Sequence, residues 1–210
     1  LSVLATFDHP VTVITKSALV CRDLDLLAAM AEKELAMVSI SLTTLNNELA
    51  RALEPRAATP AKRLEAIRRL SEVGIPVAVL TSPMIPGLND HELERLLEAA
   101  RNSGARSASY VLIRLPHGLA ALFEDWLKTH RPRHANKVMS LIRQCRDGGL
   151  SEAKFGARMR GSGPVADMIA TRFAAACKRL GLSRGRPPLD TSQFRAPVEP
   201  GLQLSLFDDL

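Results

Sequence analysis

The chain has 210 residues, of which 46% are hydrophobic and 24% charged, the composition of a globular domain that can bury a core of its own. No apolar run approaches the ~18 residues of a membrane span. Three widely spaced cysteines argue against a disulfide framework and predict a cytoplasmic protein. The formal charge is +6, concentrated in residues 131–186, where Lys and Arg exceed Asp and Glu by ten.

The chain opens with an apolar pattern at helical spacing. Leu1, Leu4 and Phe7 predict a short helix ahead of the first strand, and we interpret the chain as the carboxyl-terminal portion of a longer protein. The first strand, residues 11–16, is a β-branched run that ends in Thr-Lys-Ser. The carboxyl ends of the strands carry the chemistry in a parallel α/β barrel, so Lys16 lies where a cofactor or a substrate anion would be held.

A second strand is predicted at residues 36–43, after an amphipathic helix at 23–34. Alternation places Ser39, Ser41 and Thr43 on one face of this strand and aliphatic side chains on the other. Barrel interiors are normally filled by branched aliphatic residues, so a face lined by hydroxyl groups indicates a lumen that holds a polar ligand. An edge strand whose polar face meets water would give the same pattern.

A third strand is predicted at residues 76–81, between two capped helices. The loop after it contains Gly87, which permits a ligand to approach the backbone closely. The start of the next helix offers free N–H groups to an anion. The fourth strand, 109–114, ends in Arg114, with His117 close behind. An Arg at this rim could bind a phosphate with two hydrogen bonds, although a lone Arg or His is more often structural.

Alternating strands and helices indicate βα units, so we predict an α/β fold. Residues 1–118 are expected to form a partial parallel (βα) barrel, residues 119–182 a basic helical appendage, and residues 183–210 an extended proline-rich tail. Helices in the appendage are predicted at 119–129, 135–146 and 164–181. Its charge could neutralise nucleic-acid phosphates, but a solvated basic helix face would have the same composition.

Six short segments occur once each along the chain, in a characteristic order. They are Val-Thr-Val-Ile-Thr-Lys-Ser at 11–17, Ser-Ile-Ser-Leu-Thr-Thr at 39–44, Leu-Glu-Pro-Arg at 53–56 with Pro60 and Arg63-Leu64, Ile-Pro-Gly-Leu-Asn-Asp at 85–90, Val-Leu-Ile-Arg-Leu-Pro-His at 111–117 and Phe-Gly-Ala-Arg-Met-Arg-Gly at 155–161. The series resembles the radical S-adenosylmethionine (SAM) superfamily, specifically its spore-photoproduct-lyase-like branch of DNA repair proteins. The resemblance implies a partial six-stranded barrel of radical SAM type, with the last four strands present here.

The resemblance also implies cofactors. In such enzymes a 4Fe-4S cluster reductively cleaves SAM to a 5′-deoxyadenosyl radical, which abstracts hydrogen from the substrate. By the same resemblance, Lys16 and Ser41 would lie near the amino-acid or ribose groups of SAM. Ile85 and Gly87 would lie at its adenine side, and Arg114 and His117 would face a substrate or phosphate.

The chain lacks the cysteine spacing with which the family binds its 4Fe-4S cluster. The family holds its cluster with three cysteines in a C-x₃-C-x₂-C loop, and thiolates are the ligands that iron–sulfur clusters need. Cys21, Cys145 and Cys177 do not have that spacing, so we assign no metal ligand in this chain. We expect this polypeptide alone to bind no cluster and to cleave no SAM.

The tail carries a separate signal. The segment Gln203-Leu204-Ser205-Leu206-Phe207 is similar to the short peptide by which bacterial replication and repair proteins bind the DNA sliding clamp. In that peptide the Gln makes polar contacts, and the Leu and Phe side chains fill an apolar pocket. A terminal strand or turn that docks on its own domain would show the same apolar residues.

The leading hypothesis is therefore the carboxyl-terminal part of a radical SAM enzyme. A nucleic-acid lesion is one candidate substrate, and peptide and small-molecule substrates remain open. The alternative is a non-catalytic nucleic-acid-binding module tethered to the sliding clamp. A third hypothesis is an α/β-barrel lyase or hydrolase that uses Lys16 as a base or Schiff-base amine, which needs a buried lysine with a lowered pKa.

Overall fold

A computed structural model describes residues 1–151, 157–185 and 187–197. The strands are β1 (Val11–Thr15), β2 (Ala36–Ser41), β3 (Val77–Met84), β4 (Ser107–Leu112) and β5 (Ser183–Arg184). The α-helices are α1 (Ser2–Thr6), α2 (Leu24–Glu32), α3 (Asn47–Leu53), α4 (Pro60–Glu72), α5 (Leu93–Asn102), α6 (Leu119–His130), α7 (Ala135–Gln144), α8 (Ala157–Arg160) and α9 (Gly163–Leu180). Short 3₁₀ helices lie at Ala18–Asp23 and Asp90–Glu92.

The five strands form one sheet in the order β1-β2-β3-β4-β5, and every neighbouring pair is parallel. Parallel neighbours need a crossover connection, and helices provide it in each case. The predicted α/β class, a partial (βα) barrel followed by a helical carboxyl-terminal part, is confirmed. Sequence analysis did not find β5, because two polar residues carry no alternation pattern.

One face of the sheet packs against helices. Paired residues of parallel strands point to the same face, and Val13, Val38 and Val77 form one such row. Val38 and Val77 belong to the main hydrophobic cluster, which also takes buried side chains from α2, α4, α5 and α9. On the second face, Ser39 pairs with Ala78, and Ala78 pairs with Ser107.

The second hydrophobic cluster joins the carboxyl end of the sheet to the later helices. It contains Ile85 and Ile113, from the ends of β3 and β4, packed with buried side chains of α6 and α7. Helix α9 contacts α5, where Arg172 donates hydrogen bonds of 2.7 and 2.8 Å to the carboxylate of Glu94. The boundaries predicted at 118 and 182 stay predictions.

Residues 187–197 run from β5 back to the start of the chain. The backbone N–H of Asp190 donates to the carbonyl of Glu34 at 3.1 Å, and that of Arg195 to the carbonyl of Phe7 at 3.0 Å. The rings of His9 and Phe194 pack edge to face. Among the described helices, none has the length and apolar character to cross a bilayer.

Candidate functional site

An ion pair lies at the carboxyl end of β1. The Lys16 ammonium, one residue past the strand, contacts the carboxylate of Glu54, which ends α3. The Lys16 side chain is 41% exposed and that of Glu54 only 12%. Helix α3 is oriented by Asn46, whose side-chain oxygen accepts the N–H groups of Glu48 and Leu49. The pair therefore joins a partly exposed cation to a fixed, nearly buried anion.

Arg63 holds the other side of the same carboxylate. Its side chain is 2% exposed, and its guanidinium donates to Glu54, to the carbonyl of Ser41 at 3.0 Å and to the carbonyl of Ala58 at 2.8 Å. It lies on the inner face of α4, which begins at Pro60. Burial without these partners would be strongly unfavourable for a guanidinium. Arg63 therefore fixes Glu54 against the end of β2.

Two hydroxyl groups of β2 and its continuation reach the end of β3. Ser41 Oγ donates to the carbonyl of Ser82 at 3.1 Å. Thr43 Oγ1 lies 3.1 Å from the same carbonyl and 3.2 Å from Glu54 Oε1, and its single proton serves one of them at a time. Lys16, Ser41, Thr43, Glu54 and Arg63 therefore form one polar group across the ends of the first three strands, called here the strand-end cluster.

The electrostatics of the strand-end cluster favour an anion. Burial by itself raises the pKa of Glu54, but the hydrogen bonds and charges of Lys16 and Arg63 outweigh it, so that the pKa lies below the ordinary carboxyl value. Glu54 is therefore ionised at neutral pH and balances only one of the two cations. The remaining positive charge sits at the exposed Lys16 end.

A second, more deeply buried set of hydrogen bonds shapes the loop after β3. The Asn89 amide donates to the carbonyl of Thr43 at 2.8 Å and to that of Pro83 at 3.0 Å, and it accepts the N–H of Ile85 at 2.7 Å. Glu92 is buried beside it and accepts the Thr44 hydroxyl. All of Asn89's bonds run to backbone atoms, so its role is to position the loop.

The structure places Ile85 and Gly87 inside this loop. Ile85 is fully buried in the second hydrophobic cluster. Gly87 has φ +77°, and a Cβ built there would lie 2.8 Å from Leu141 Cδ1. Its N–H donates to Asp90 Oδ1 at 2.8 Å. The space beside this glycine is therefore occupied by α7, and the predicted contact of this loop with adenine stays a prediction.

Arg114 and His117 lie between β4 and α6, away from Lys16. Three strand spacings separate β1 from β4, or about 14 Å at the usual distance between neighbouring strands. Arg114 is half-buried, and its Nε has no hydrogen-bond partner among the described residues. His117 is exposed in a turn with φ 50°. Among the described residues, no hydrogen bond or ion pair joins Arg114 or His117 to the strand-end cluster, and their predicted contact with substrate stays a prediction.

The second face of the sheet carries small and hydroxyl-bearing residues beside larger apolar ones. Strand pairing joins Ile14, Ser39, Ala78 and Ser107 into one row across four strands. Ser39 is 1% exposed, and its Oγ has no hydrogen-bond partner within the described ranges. A buried hydroxyl without a partner is uncommon in a folded protein. The row is suited to a polar ligand that lies against the sheet.

The cysteines do not resemble cluster ligands. Cys21, Cys145 and Cys177 are all buried, and burial raises the pKa of each thiol. An iron–sulfur cluster needs thiolates. Within residues 1–151, 157–185 and 187–197, no group of three or more His, Cys, Asp or Glu side chains is placed to share a metal ion. The residues described here do not fit a 4Fe-4S cluster.

The segment resembling a clamp-binding peptide, residues 203–207, lies outside the described residues. Phe155 and Gly156, which begin the last of the six ordered segments, lie outside them as well.

Within the described part, sequence analysis missed the role of Glu54 and Arg63. Both stand in the third of the six ordered segments, which contains Leu-Glu-Pro-Arg and Arg-Leu.

A family model matches the segment of the chain that contains the strand-end cluster. Residues 3–100 match the model of the Radical SAM superfamily, and this segment is a radical SAM superfamily domain. The chain is 29% identical to the uncharacterized protein Rv2578c of Mycobacterium tuberculosis over 143 residues, which are 67% of this chain and 42% of that protein. The chain thus spans less than half of the length of this relative.

Two further relatives match shorter segments. The uncharacterized protein ORF301 of Acidianus two-tailed virus is 42% identical over 72 residues, 34% of this chain and 23% of that protein. The uncharacterized protein MJ0683 of Methanocaldococcus jannaschii is 37% identical over 81 residues, 39% of this chain and 30% of that protein. The names of these relatives identify no substrate.

Proposed function

We propose that the protein is a radical SAM enzyme and that the strand-end cluster binds SAM. The observation that carries this proposal is the net positive polar group at the carboxyl ends of parallel strands, within the segment that matches the superfamily. Ligands of open α/β sheets bind at these ends. The positive charge suits the α-carboxylate of SAM, and the hydroxyl groups suit its ribose.

Each residue has a distinct part in this proposal. Lys16 is partly exposed, so it can leave Glu54 and hold the carboxylate of SAM. Glu54 then keeps Arg63 and Thr43 as partners and remains in place. Ser41 would lie at the amino-acid or ribose side of SAM, and Ile85 and Gly87 would lie at its adenine side. Bound SAM supplies the group that abstracts hydrogen in this superfamily.

We assign the cluster ligands to residues outside those described. The three cysteines are buried and carry raised thiol pKa values, so no step through a cluster is derived from them. The present chain alone is then inactive in SAM cleavage. Anaerobic reconstitution with iron and sulfide tests this: we expect no stoichiometric cluster, and four irons per chain would overturn the assignment.

The substrate class proposed is nucleic acid, with a lyase-like repair reaction in a bacterial cytoplasm. The basic excess of residues 131–186 supports it. The peptide at 203–207 would tether the enzyme to the sliding clamp. A synthetic peptide of residues 199–210 should bind clamp with a Kd below about 100 μM. The absence of binding at that concentration would remove the clamp from the proposal.

A non-catalytic module tethered to the clamp is the second candidate. The misfit between the described cysteines and a cluster favours it. This candidate predicts nucleic-acid binding without SAM binding, so the SAM experiment separates the two. The Schiff-base hypothesis has less support, because Lys16 is partly exposed and paired with a carboxylate rather than enclosed by apolar side chains.

Calorimetric titration with SAM tests the proposal directly. The Lys16→Ala variant should bind SAM at least about tenfold more weakly, the loss expected when one hydrogen bond between charged groups is removed. Lys33→Ala is the matched control, because Lys33 also pairs with a partly buried carboxylate, that of Asp8 at 2.8 Å, but at the far end of α2. No SAM binding by the unaltered chain, or equal losses in the two variants, would overturn the proposal.

A further inference from the structure

Three surface grooves meet at β5, and all three are lined by Arg184. Their volumes are about 590, 500 and 380 Å³. Lys178, Arg160 and Arg106 each line one of them. None of the described lining residues is acidic. By contrast, the grooves beside α3 and α7 contain Glu54 and Glu92 respectively. The grooves around β5 therefore form a continuous basic surface, called here the β5 surface.

The described contacts leave the charges of the β5 surface without a carboxylate partner. All four basic side chains are exposed, and among the described residues none of them forms an ion pair with a carboxylate. Arg160 lies over the ring of Tyr110, at 4.7 Å from its centroid, which leaves its charge unbalanced. Two other basic residues of segment 131–186 do form ion pairs: Arg131 pairs with Glu48, and Arg172 pairs with Glu94.

The distribution of these cations suits a polymer. They line different grooves around Arg184 and do not converge on one point, as the binding of a single small anion would require. The large apolar side chains of the linings, Phe173 and Leu182, are buried, so they offer nothing to insert into a lipid bilayer. A nucleic acid presents phosphates at regular intervals and releases counterions when cations approach them.

We propose that the β5 surface binds the phosphodiester backbone of a nucleic acid. Strand β5 pairs with Ser107 and Ala108 at the amino-terminal end of β4. The strand-end cluster lies at the carboxyl ends of the strands, so the β5 surface lies toward the opposite edge of the sheet. The surface thus holds the polymer beside the domain, and it makes contact without reading sequence. This proposal deepens the nucleic-acid part of the proposed function, and its failure would leave SAM binding untouched.

Fluorescence anisotropy with labelled single- and double-stranded DNA between 50 and 200 mM salt tests the proposal on the full chain. The double variant Lys178→Ala/Arg184→Ala should weaken binding at least about tenfold at low salt and reduce the salt slope by about two. The matched control is Lys137→Ala/Arg143→Ala, which removes the same charge from exposed positions on α7. The control should retain the affinity and slope of the unaltered chain.

Three results would overturn the proposal. The first is equal weakening by both double variants, which would mean that net charge alone governs binding. The second is the absence of salt-dependent binding by the unaltered chain. The third is equal competition by polyglutamate of matched charge, which would indicate an acidic protein partner. Since the substituted side chains are exposed, circular dichroism should show unchanged folding in both variants.

Discussion

Glu54→Gln is the most informative single substitution in the strand-end cluster. Glu54 is 12% exposed and is the carboxylate partner of Arg63, which is 2% exposed. Removing one charge of a buried pair leaves the other uncompensated, at a cost of 3–5 kcal/mol in measured cases, and glutamine keeps one acceptor. We therefore expect Glu54→Gln to lower the free energy of unfolding by about 3 kcal/mol, at the lower end of that range. For a chain of this size the melting temperature should fall by about 6–12 °C.

Urea denaturation followed by circular dichroism measures this loss, with an unchanged dependence on urea as evidence of an unchanged unfolding reaction. Glu65→Gln is the matched control, because Glu65 also pairs with an arginine, Arg68, but on the exposed side of α4. The control should show little change. An effect of Glu54→Gln below about 1 kcal/mol at neutral pH, the range of surface pairs, would refute the reasoning.

The contribution of Glu54 to the free energy of unfolding should depend on pH in a defined direction. The pKa of Glu54 is lower in the folded state than in the unfolded chain, where a glutamate has a pKa of about 4.3. Its stabilising contribution is therefore present above that value and is lost as the pH falls through the folded-state pKa. The difference between the unaltered chain and Glu54→Gln should shrink below pH ~4. A difference that stays constant in acid would contradict an ionised Glu54.

Three smaller predictions follow from particular contacts. Gly87→Ala should destabilise more than Gly74→Ala in urea titrations, because both glycines have positive φ but only at Gly87 does the new Cβ meet a neighbour; equal losses would mean that α7 gives way. Arg172→Ala should cost about 1 kcal/mol, less at high salt, because its pair with Glu94 is partly exposed; a loss independent of salt would count against an electrostatic role. The three buried thiols, with pKa values raised by burial, should react with a disulfide reagent only after unfolding, and rapid reaction of the folded chain would contradict their burial.

The parallel sheet could be predicted because its signals are local. Alternating apolar residues, proline at the start of α4 and glycine after α5 fix the elements without knowledge of their neighbours. Lys16 was found in the same way, since the end of a β-branched run is visible in the sequence.

The partners of Lys16 could not be predicted, because they depend on tertiary contacts. Glu54 lies 38 positions from Lys16 in a motif that contains no periodic signal, and Arg63 is a charged residue on the buried face of a helix. Pattern reasoning assigns such a residue to solvent. Likewise, the space beside Gly87 is filled by Leu141, from a helix predicted only as part of an appendage.

The division of the basic segment between structural and exposed roles also needed the fold. Charge counting treats residues 131–186 as uniform. In the structure Arg172 binds α5 to α9, while Arg184 stays exposed on a strand that was not predicted. The sequence alone therefore located the excess charge but could not say which residues were available to a partner.

The central claim is that the strand-end cluster binds SAM, and NMR of the ¹⁵N-labelled chain during a SAM titration tests it most directly. The claim predicts saturable shifts of amide resonances concentrated at residues 15–17 and 41–44, with those of 183–185 unmoved. Resonances that stay unchanged at millimolar SAM, or shifts confined to residues far from these strand ends, would contradict it.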